Sequence, residues 1–258
     1  MNKLEEYLIN QIPFPIKCYD NNKCALIIEP RPHKLLLGII YQVIRNLGDW
    51  NLIIVGSDLN QKLIDDNLSG KYTFINCGIN NFDKHTYSMY LRSIDLWERI
   101  PYNNILVFQT DSFIIGSWTD KFLQFPYIGA IYNYGFYQNN KFNDIVSHNG
   151  QYGINGGFSF RKRNCMLNCI RNVNINDIMN WRRDNGLNTI FFEQTHIIPE
   201  DVYFANALAV LGYTLPDHTI CNRFCSQMNL IENSFGIHAF NKGFITKEIK
   251  ELLEKERL

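Results

Sequence analysis

The residues with the clearest chemical potential lie where an apolar run stops. Residues 103–112 read NNILVFQTDS, a buried-type run followed directly by polar side chains that include Asp111. A short run of β-branched and aromatic residues bounded by polar ones predicts a strand buried on both faces of a parallel sheet. Open α/β sheets bind ligands at the carboxyl ends of such strands. Asp111 is therefore either a residue that caps a turn or a carboxylate that faces a bound ligand.

The sequence lacks the usual phosphate-binding loops. It has neither G-x-x-x-x-G-K-[ST] nor G-x-G-x-x-G after its first predicted strand. A divalent metal held by carboxylates, which bridges the two phosphates of a nucleotide, is the other common solution. Asp111 is well placed for that role.

Composition and charge narrow the class of protein. The chain has 258 residues with 25 basic and 25 acidic side chains, so its formal charge is zero. This balance removes the general electrostatic argument for nucleic acid or an anionic membrane as the main partner. The start of the chain has acids where a secretory signal needs basic residues, and no apolar run is long enough to span a bilayer. We expect a soluble, cytoplasmic protein, and the oligomeric state stays open.

The cysteines indicate a reduced, intracellular setting. There are seven, an odd number scattered along the chain, which does not suit a disulfide framework. Cys165/Cys169 and Cys221/Cys225 each have C-x-x-x-C spacing, and four thiolates could bind zinc. The same spacing is equally that of small core residues on one helix face, and this is the role we expect.

The order of elements in the first half predicts an α/β fold. Predicted strands cover residues 24–32, 50–58, 72–78 and 105–108, and predicted helices cover residues 3–10, 33–49 and 86–99. Strands that alternate with helices of this length form βαβ units, and these give a mostly parallel sheet flanked by helices. Since no linker rich in Pro, Gly or Ser interrupts the chain, we expect a single domain.

The second half has a different pattern. Residues 126–142 are aromatic, polar and interrupted by Gly, which indicates a strand and then an irregular loop. Gly156 and Gly157 precede a predicted strand, where they either let the backbone approach a ligand or form a tight turn. The remaining predictions are a helix over residues 164–173 with a polar loop after it, a helix with Pro199 at its first position, and an amphipathic helix over residues 246–258.

Several segments occur in an order that resembles the GT-A glycosyltransferases. They are FQTDS at 108–112, NGGFSFR at 155–161, PEDVYF at 199–204 and FGIHAF at 235–240. Together with IIEPRPH at 27–33, they resemble more closely an uncharacterised glycosyltransferase-like domain family of bacteria and giant viruses. The resemblance runs from about Cys24 to Phe240. It implies one GT-A-like, Rossmann-like domain, in which residues 20–115 bind a nucleotide and residues 116–258 serve the acceptor and catalysis.

The resemblance implies a metal ion and a nucleotide-sugar donor. Asp111 and His238 would bind Mn²⁺ or Mg²⁺, with oxygens from Thr110 and Ser112, and imidazole suits Mn²⁺ better. GT-A enzymes commonly carry Asp-x-Asp where this chain has the single Asp of QTDS. The alternative for His238 is a hydrogen-bonded histidine in a turn. The donor expected is a nucleoside diphosphate sugar, with a UDP-sugar favoured.

Other polar residues at strand ends could bind the donor. Glu29 could accept from base or ribose hydroxyls and Arg31 could bind a diphosphate, although a surface ion pair is the alternative for both. Ser57 and Asp58 follow the second strand and have weaker support. The resemblance implies that the Gly-rich stretch Asn155, Gly156 and Gly157 lines the donor sugar, with Asn155 bonding a sugar hydroxyl.

The resemblance also assigns an acidic pair to catalysis. Asp201, favoured over Glu200, would remove the proton from the acceptor hydroxyl in an inverting displacement. Acids in the first turn of a helix also offset its dipole, so helix capping is the alternative for each. Aromatic residues between 132 and 137 could cover the apolar faces of a sugar acceptor, although core packing is their commoner use.

The sequence therefore predicts a metal-dependent glycosyltransferase that acts on a glycan, protein or small-molecule hydroxyl. Two other functions stay open. The lone Asp of QTDS motivates a catalytically weak nucleotide-sugar binding module. A metal-dependent phosphohydrolase on a similar sheet is the third.

Overall fold

The computed structural model describes residues 3–131, 154–187, 189–194, 198–227 and 230–240. The strands are β1 (Lys23–Ile28), β2 (Asn51–Gly56), β3 (Thr73–Asn76), β4 (Asn104–Phe108), β5 (Ser112–Ile114), β6 (Tyr127–Ile131), β7 (Ile154–Lys162), β8 (Cys225–Ser226) and β9 (Gly236–His238). The helices are α1 (Lys3–Ile9), α2 (Leu36–Leu47), α3 (Asp58–Asn67), α4 (Lys84–Leu91), α5 (Ile94–Arg99), α6 (Arg163–Asn172), α7 (Ile175–Asp184), α8 (Ile190–Gln194), α9 (Glu200–Val210) and α10 (His218–Phe224), with a 3-10 turn at Asp120–Gln124.

The central sheet has six strands in the order β3-β2-β1-β4-β7-β6. The first four in that order are parallel, and β7 runs antiparallel to both β4 and β6. Burial of β1, β2 and β4 explains the arrangement, because their apolar side chains are covered on both faces by helices. The predicted α/β class, with a mostly parallel sheet flanked by helices, is confirmed.

A second sheet has three short strands in the order β5-β9-β8. Its first strand, β5, lies between β4 and β6 along the chain, and the other two follow β7. β5 is antiparallel to β9, and Ser112 pairs with His238 in that ladder. The pairing joins the turn after β4 to a segment more than a hundred residues later. It is the feature that positions the candidate site.

The helices differ from the sequence-based prediction in several places. The predicted helix over residues 86–99 is two helices, because the Ser93 side chain accepts from the Leu96 amide and caps a new helix. α3 was not predicted, and the polar loop expected after α6 contains α7 and α8. Pro199 is the N-cap of α9 rather than its first helical residue.

The strand β7 carries a large bulge at the Gly-rich stretch. Between the pairs Gly129↔Ser159 and Ile131↔Ile154, β6 advances two residues while β7 advances five. Asn155, Gly156 and Gly157 lie in this excess and therefore inside β7, so the alternative of a tight turn before the strand does not apply. A bulge bends a strand and redirects its backbone.

All four cysteines of the two C-x-x-x-C pairs lie within the described residues. Cys169, Cys221 and Cys225 are buried free thiols, and Cys165 is half-buried. Burial raises the pKa of Cys221 to about 12. Across the described ranges, no three or more His, Cys, Asp and Glu side chains come together in a way that could hold a metal ion. The thiols therefore do not make the zinc cluster that their spacing left open.

Two predictions fall outside the described residues: the aromatic platform at 132–137 and the amphipathic helix at 246–258. Within the described part of the chain, none of the helices combines the length and the apolar character needed to cross a bilayer.

Candidate active site

The structure brings Asp111 and His238 together. Asp111 lies in the turn between β4 and β5, and His238 ends β9, which pairs with β5. Asp111 Oδ1 is 3.4 Å from His238 Nε2. The Oε1 atom of Gln109 is 3.3 Å from the same nitrogen. A carboxylate oxygen and an amide oxygen therefore both lie close to one imidazole nitrogen.

These three side chains fit a divalent ion. Ligands that occupy neighbouring positions of an octahedral ion at about 2.1 Å are about 3 Å apart, close to the distances observed. A mixed nitrogen and oxygen set suits Mn²⁺. Gln109 stands two residues before Asp111, inside the quoted segment FQTDS, and the sequence analysis gave it no role. His238 Nδ1 has no hydrogen-bond partner among the described residues, whereas a metal-bound His usually has one there.

Gly157 gives this cluster its space. A Cβ on Gly157 would collide with the imidazole of His238 and with Gln109 Oε1. The Ser112 hydroxyl, fully buried, accepts from the Gln109 amide at 3.0 Å and donates to the Gly157 carbonyl at 3.3 Å. Ser112 thus ties the turn to β7 and is not exposed toward a ligand.

An open cleft of about 360 Å³ lies beside Asp111. It is bounded by the residues after β1, by the start of α4 and by the turn after β4, which contributes Gln109, Thr110 and Asp111. The cleft thus lies at the carboxyl ends of the two central parallel strands, where open α/β sheets bind ligands. Asp58 does not line it, because it faces a separate depression with Gln61, Lys62, Asp65 and Asp66.

Arg31 and Glu29 form a fixed pair on the wall of the cleft. Arg31 Nε and Nη2 each lie 2.7 Å from a different carboxylate oxygen of Glu29. The Glu29 side chain is only 7% exposed, whereas that of Arg31 is 53% exposed. The pair is therefore not the surface ion pair considered from the sequence, because its acid is buried. Both residues line the cleft, but both oxygens of Glu29 are hydrogen-bonded to Arg31, and Arg31 is the more exposed of the two.

The helix α3 braces this pair. Ser57 caps α3 and donates its hydroxyl proton to the Pro30 carbonyl at 2.6 Å. Asn60 donates to the carbonyl of Glu29. Ser57 is buried, so its role is to hold the turn that carries Arg31 rather than to contact a ligand.

His33, Lys84 and Tyr87 also line the cleft and were not singled out from the sequence. His33 Nδ1 accepts from the Leu35 amide at 3.2 Å. Burial lowers the pKa of His33, so the ring is mainly neutral near pH 7 and carries its proton on Nε2. Burial and the charge of Glu200 raise the pKa of Tyr87. His33 was part of the quoted IIEPRPH segment, and Tyr87 lies in the helix predicted over residues 86–99.

The acidic pair Glu200 and Asp201 is buried at the start of α9. Glu200 forms an ion pair with Arg161, with Nη2 and Oε1 3.2 Å apart, and accepts from the Ser88 hydroxyl at 3.1 Å. Asp201 Oδ1 accepts from the Val202 amide at 2.8 Å. Burial, reinforced by the charge of Glu200, raises the pKa of Asp201 to about 7. A carboxyl group in this state can exchange a proton near neutral pH.

The absence of a side chain at Gly156 leaves room for Glu200 and Asp201, as its absence at Gly157 leaves room for His238 and Gln109. A Cβ on Gly156 would collide with Glu200 Oε1, approach Arg161 Nη2 at 2.6 Å and lie 3.3 Å from the Asp201 Cβ. Gly156 and Gly157 are consecutive residues, so their Cα atoms are only about 3.8 Å apart. Because each contacts a different cluster, the bulged backbone of β7 lies between the two clusters. The Asn155 side chain is buried and accepts from the Gly157 amide at 2.7 Å, which stabilises the bulge.

The family comparison matches the part of the chain that builds these two clusters. A family model described as "Protein of unknown function (DUF5672)" matches residues 71–238, more than half of the chain. The match includes Asp111, Glu200, Asp201 and His238. The chain belongs to the DUF5672 family. No curated protein sequence matches this DUF5672 chain.

Two solved structures with a similar fold are both of one protein, the galactosyltransferase LgtC. The galactosyltransferase LgtC, solved with donor and acceptor sugar analogs, aligns with a TM-score of 0.52 and 13% identity over 83% of the DUF5672 chain and 86% of LgtC. An active-site mutant of LgtC aligns with a TM-score of 0.51 and 12% identity over the same shares of the two chains. At this identity the likeness concerns the fold, and the DUF5672 chain has a GT-A-like fold.

Proposed function

We propose that this DUF5672 protein is a glycosyltransferase that moves a sugar from a nucleoside diphosphate donor, a UDP-sugar, to an acceptor hydroxyl. One observation carries the proposal: Asp111 and His238 meet at 3.4 Å beside a cleft at the carboxyl ends of β1 and β4. The GT-A-like fold supports the same class of reaction, since LgtC is described as a galactosyltransferase.

The donor half of the protein, residues 20–115, would bind the nucleotide. Arg31 is the half-exposed cation on the cleft wall, and a guanidinium binds phosphate oxygens with well-defined geometry. Glu29 holds it in place through two hydrogen bonds. Thr110 lines the cleft next to Asp111 and is a further contact to the donor.

Asp111, His238 and Gln109 would hold Mn²⁺, or Mg²⁺ as the weaker fit to an imidazole. When bound, the ion supplies positive charge that stabilises the leaving diphosphate. Gly156 and Gly157 leave room for a donor sugar to approach the backbone of β7. Asn155 and Ser112 would support this part of the site by fixing the bulge and the turn.

Asp201 would act as the general base in the acceptor half, residues 116–258, with Glu200 as its charged neighbour. A carboxyl group whose pKa lies near 7 is matched to the removal of a proton at neutral pH. The acceptor is a glycan, a protein or a small molecule with a free hydroxyl. A single displacement with this base inverts the anomeric carbon. LgtC is a retaining enzyme, so the inverting outcome rests on the acidic pair alone.

The first test is calorimetric titration of UDP into the protein with and without Mn²⁺. We expect binding that depends on Mn²⁺ and is lost in Asp111→Asn and His238→Ala, because each variant removes one ligand. Asp58→Asn is the matched control, since Asp58 also follows a central strand but faces another depression. Equal binding of UDP to all variants, independent of the ion, would contradict the metal assignment.

Transfer itself is then tested with a panel of UDP-sugars and NMR detection of the product. An inverted anomeric carbon is expected, and a retained one would remove the role of Asp201 as base. Release of inorganic phosphate would indicate a phosphohydrolase and overturn the proposal.

The second candidate is a nucleotide-sugar binding module without effective transfer. Gln109 favours it, because an amide oxygen lies beside His238 and binds a divalent cation more weakly than a carboxylate does. Its signature is metal-dependent binding of UDP together with no turnover of any donor. Gln109→Asp would then be expected to raise affinity for Mn²⁺.

A further inference from the structure

Arg161 is a fully buried cation that sequence reasoning gave no role. Its side chain has no exposed surface and projects from β7 toward the start of α9. Nε donates to the Ser159 hydroxyl at 3.0 Å, and Nη2 donates to the Gly156 carbonyl at 3.1 Å and to Glu200 at 3.2 Å. Its Nη1 has no hydrogen-bond partner among the described residues. A buried charge of this kind requires a counter-ion nearby.

The two acids of the pair stand in different relations to this cation. Glu200 is its ion-pair partner and is further fixed by the Ser88 hydroxyl of α4. Asp201 forms no ion pair with a Lys, Arg or His of the described residues, and its Oδ1 accepts from a backbone amide. The charges of Arg161 and Glu200 therefore balance each other, which leaves Asp201 as the acid without a dedicated counter-ion.

We propose that Arg161 is a positioning residue for the acidic pair: by binding Glu200 and the Gly156 carbonyl, it leaves Asp201 as the member that gains and loses a proton. The inference rests on the proposed function for its catalytic meaning, because Asp201 acts there as the base. Its electrostatic content stands on the contacts of Arg161 alone. Arg161 touches neither donor nor acceptor in this scheme.

The surroundings of the pair support this division. Burial and the neighbouring charge of Glu200 raise the pKa of Asp201, while the Val202 amide and the charge of Arg161 lower it. Several titratable groups lie on the elements packed against α9. Tyr87 and Arg92 are close to Glu200, and Arg161 projects from β7. Further along the helix, Cys169 lies beside Tyr203, and Arg182 lies beside Asn206. Arg161 is thus the cation that bears most directly on Asp201.

The test follows the proton on Asp201 directly. Aspartate side chains labelled with carbon-13 at the carboxyl group are titrated by NMR, and Asp201→Asn identifies the signal by its loss. Glu200→Gln keeps the shape of the side chain and removes its charge. Arg161→Met combined with Glu200→Gln removes both charges of the ion pair together, so that no unpaired charge is left buried by the change. Glu98→Gln is the control, because it makes the same change in the exposed Glu98–Arg171 pair.

The expected signal in the parent protein titrates near pH 7. In Glu200→Gln it moves down by about one pH unit or more, because a like charge is gone and Arg161 is left to Asp201. In the double variant it moves back up, since the cation is also gone. Glu98→Gln leaves it unchanged. A merely structural ion pair would change the melting temperature in Glu200→Gln but not this titration.

Two results would overturn the inference. One is a titration of Asp201 that stays in place in Glu200→Gln, and this comparison decides the matter even if the double variant does not fold. The other is a signal near pH 7 that persists in Asp201→Asn. If the Asp201 titration shifts as expected but the protein transfers no sugar, the role of Arg161 is upheld and the proposed function is contradicted. Failure of the inference can therefore be told apart from failure of the proposed function.

Discussion

At the scale of single residues, two adjacent glycines face two different clusters of side chains. Gly157 faces His238 and Gln109, and Gly156 faces Glu200 and Arg161. In both cases the atoms closest to a new methyl group are the ends of side chains, so these side chains can move aside without a change in the backbone. The two alanine variants should therefore disturb different functions.

Gly157→Ala is expected to weaken Mn²⁺-dependent binding of UDP at least about tenfold, because it pushes His238 away from Asp111. Gly156→Ala displaces a buried ion pair and should cost more stability, about 1 to 3 kcal/mol. Calorimetry with UDP and denaturation in urea measure the two effects, and each variant is the control for the other. Similar losses of affinity in both would contradict the separation.

The residues found from the sequence and those missed differ in a physical way. Asp111, His238, Glu200 and Asp201 lie in segments whose order carries information, so a resemblance could indicate them. Gln109 and Arg161 lie in two of the same segments, FQTDS and NGGFSFR. They were missed because their contacts, with His238 and Glu200, are to residues far away in the sequence. The pairing of Ser112 with His238 is such a contact, and the sequence held no local sign of it.

At the scale of elements, helix ends hold the cleft in shape. Ser57 and Asn60 form a capping box at the start of α3 and also bind the carbonyls of Pro30 and Glu29. α3 was missed because only Asn60 and Ile64 of the helix are buried, which leaves no apolar period to detect. The long strands and α2 were predicted correctly, since their apolar patterns are strong.

Ser57→Ala is expected to cost about 1 kcal/mol of stability and also to weaken UDP binding, because the turn that carries Arg31 loses a tie. Asn174→Ala is the matched control, as Asn174 caps α7 in the same kind of box. It should lose similar stability and leave UDP affinity unchanged. If both variants bind UDP equally, α3 does not position Arg31.

At the scale of the whole molecule, the buried Asp201 makes folding stability depend on pH. Its pKa rises from an ordinary value of 3.8 to about 7 in the folded protein. The folded state therefore holds the proton more tightly than the unfolded chain does. The tighter binding of the proton stabilises the folded state fully below about pH 4, and this stabilisation is lost progressively as the pH rises through about 7.

Asp201→Asn removes that dependence. The stability of the variant minus that of the parent protein should be larger at pH 8 than at pH 5, by up to about a few kcal/mol. Denaturation in urea at the two pH values gives the comparison. A stability difference that is the same at both would mean that Asp201 is not protonated in the folded protein.

The pairing of β5 with β9 also has a consequence for biosynthesis. All six strands of the central sheet are complete by Lys162, but Asp111 finds His238 only after β9 has been translated. A growing chain on the ribosome can thus assemble the scaffold long before it has both halves of the Asp111–His238 pair. A premature stop between the two points would yield a polypeptide with every strand of the large sheet and no such pair, so synthesis itself keeps this chemistry switched off until late.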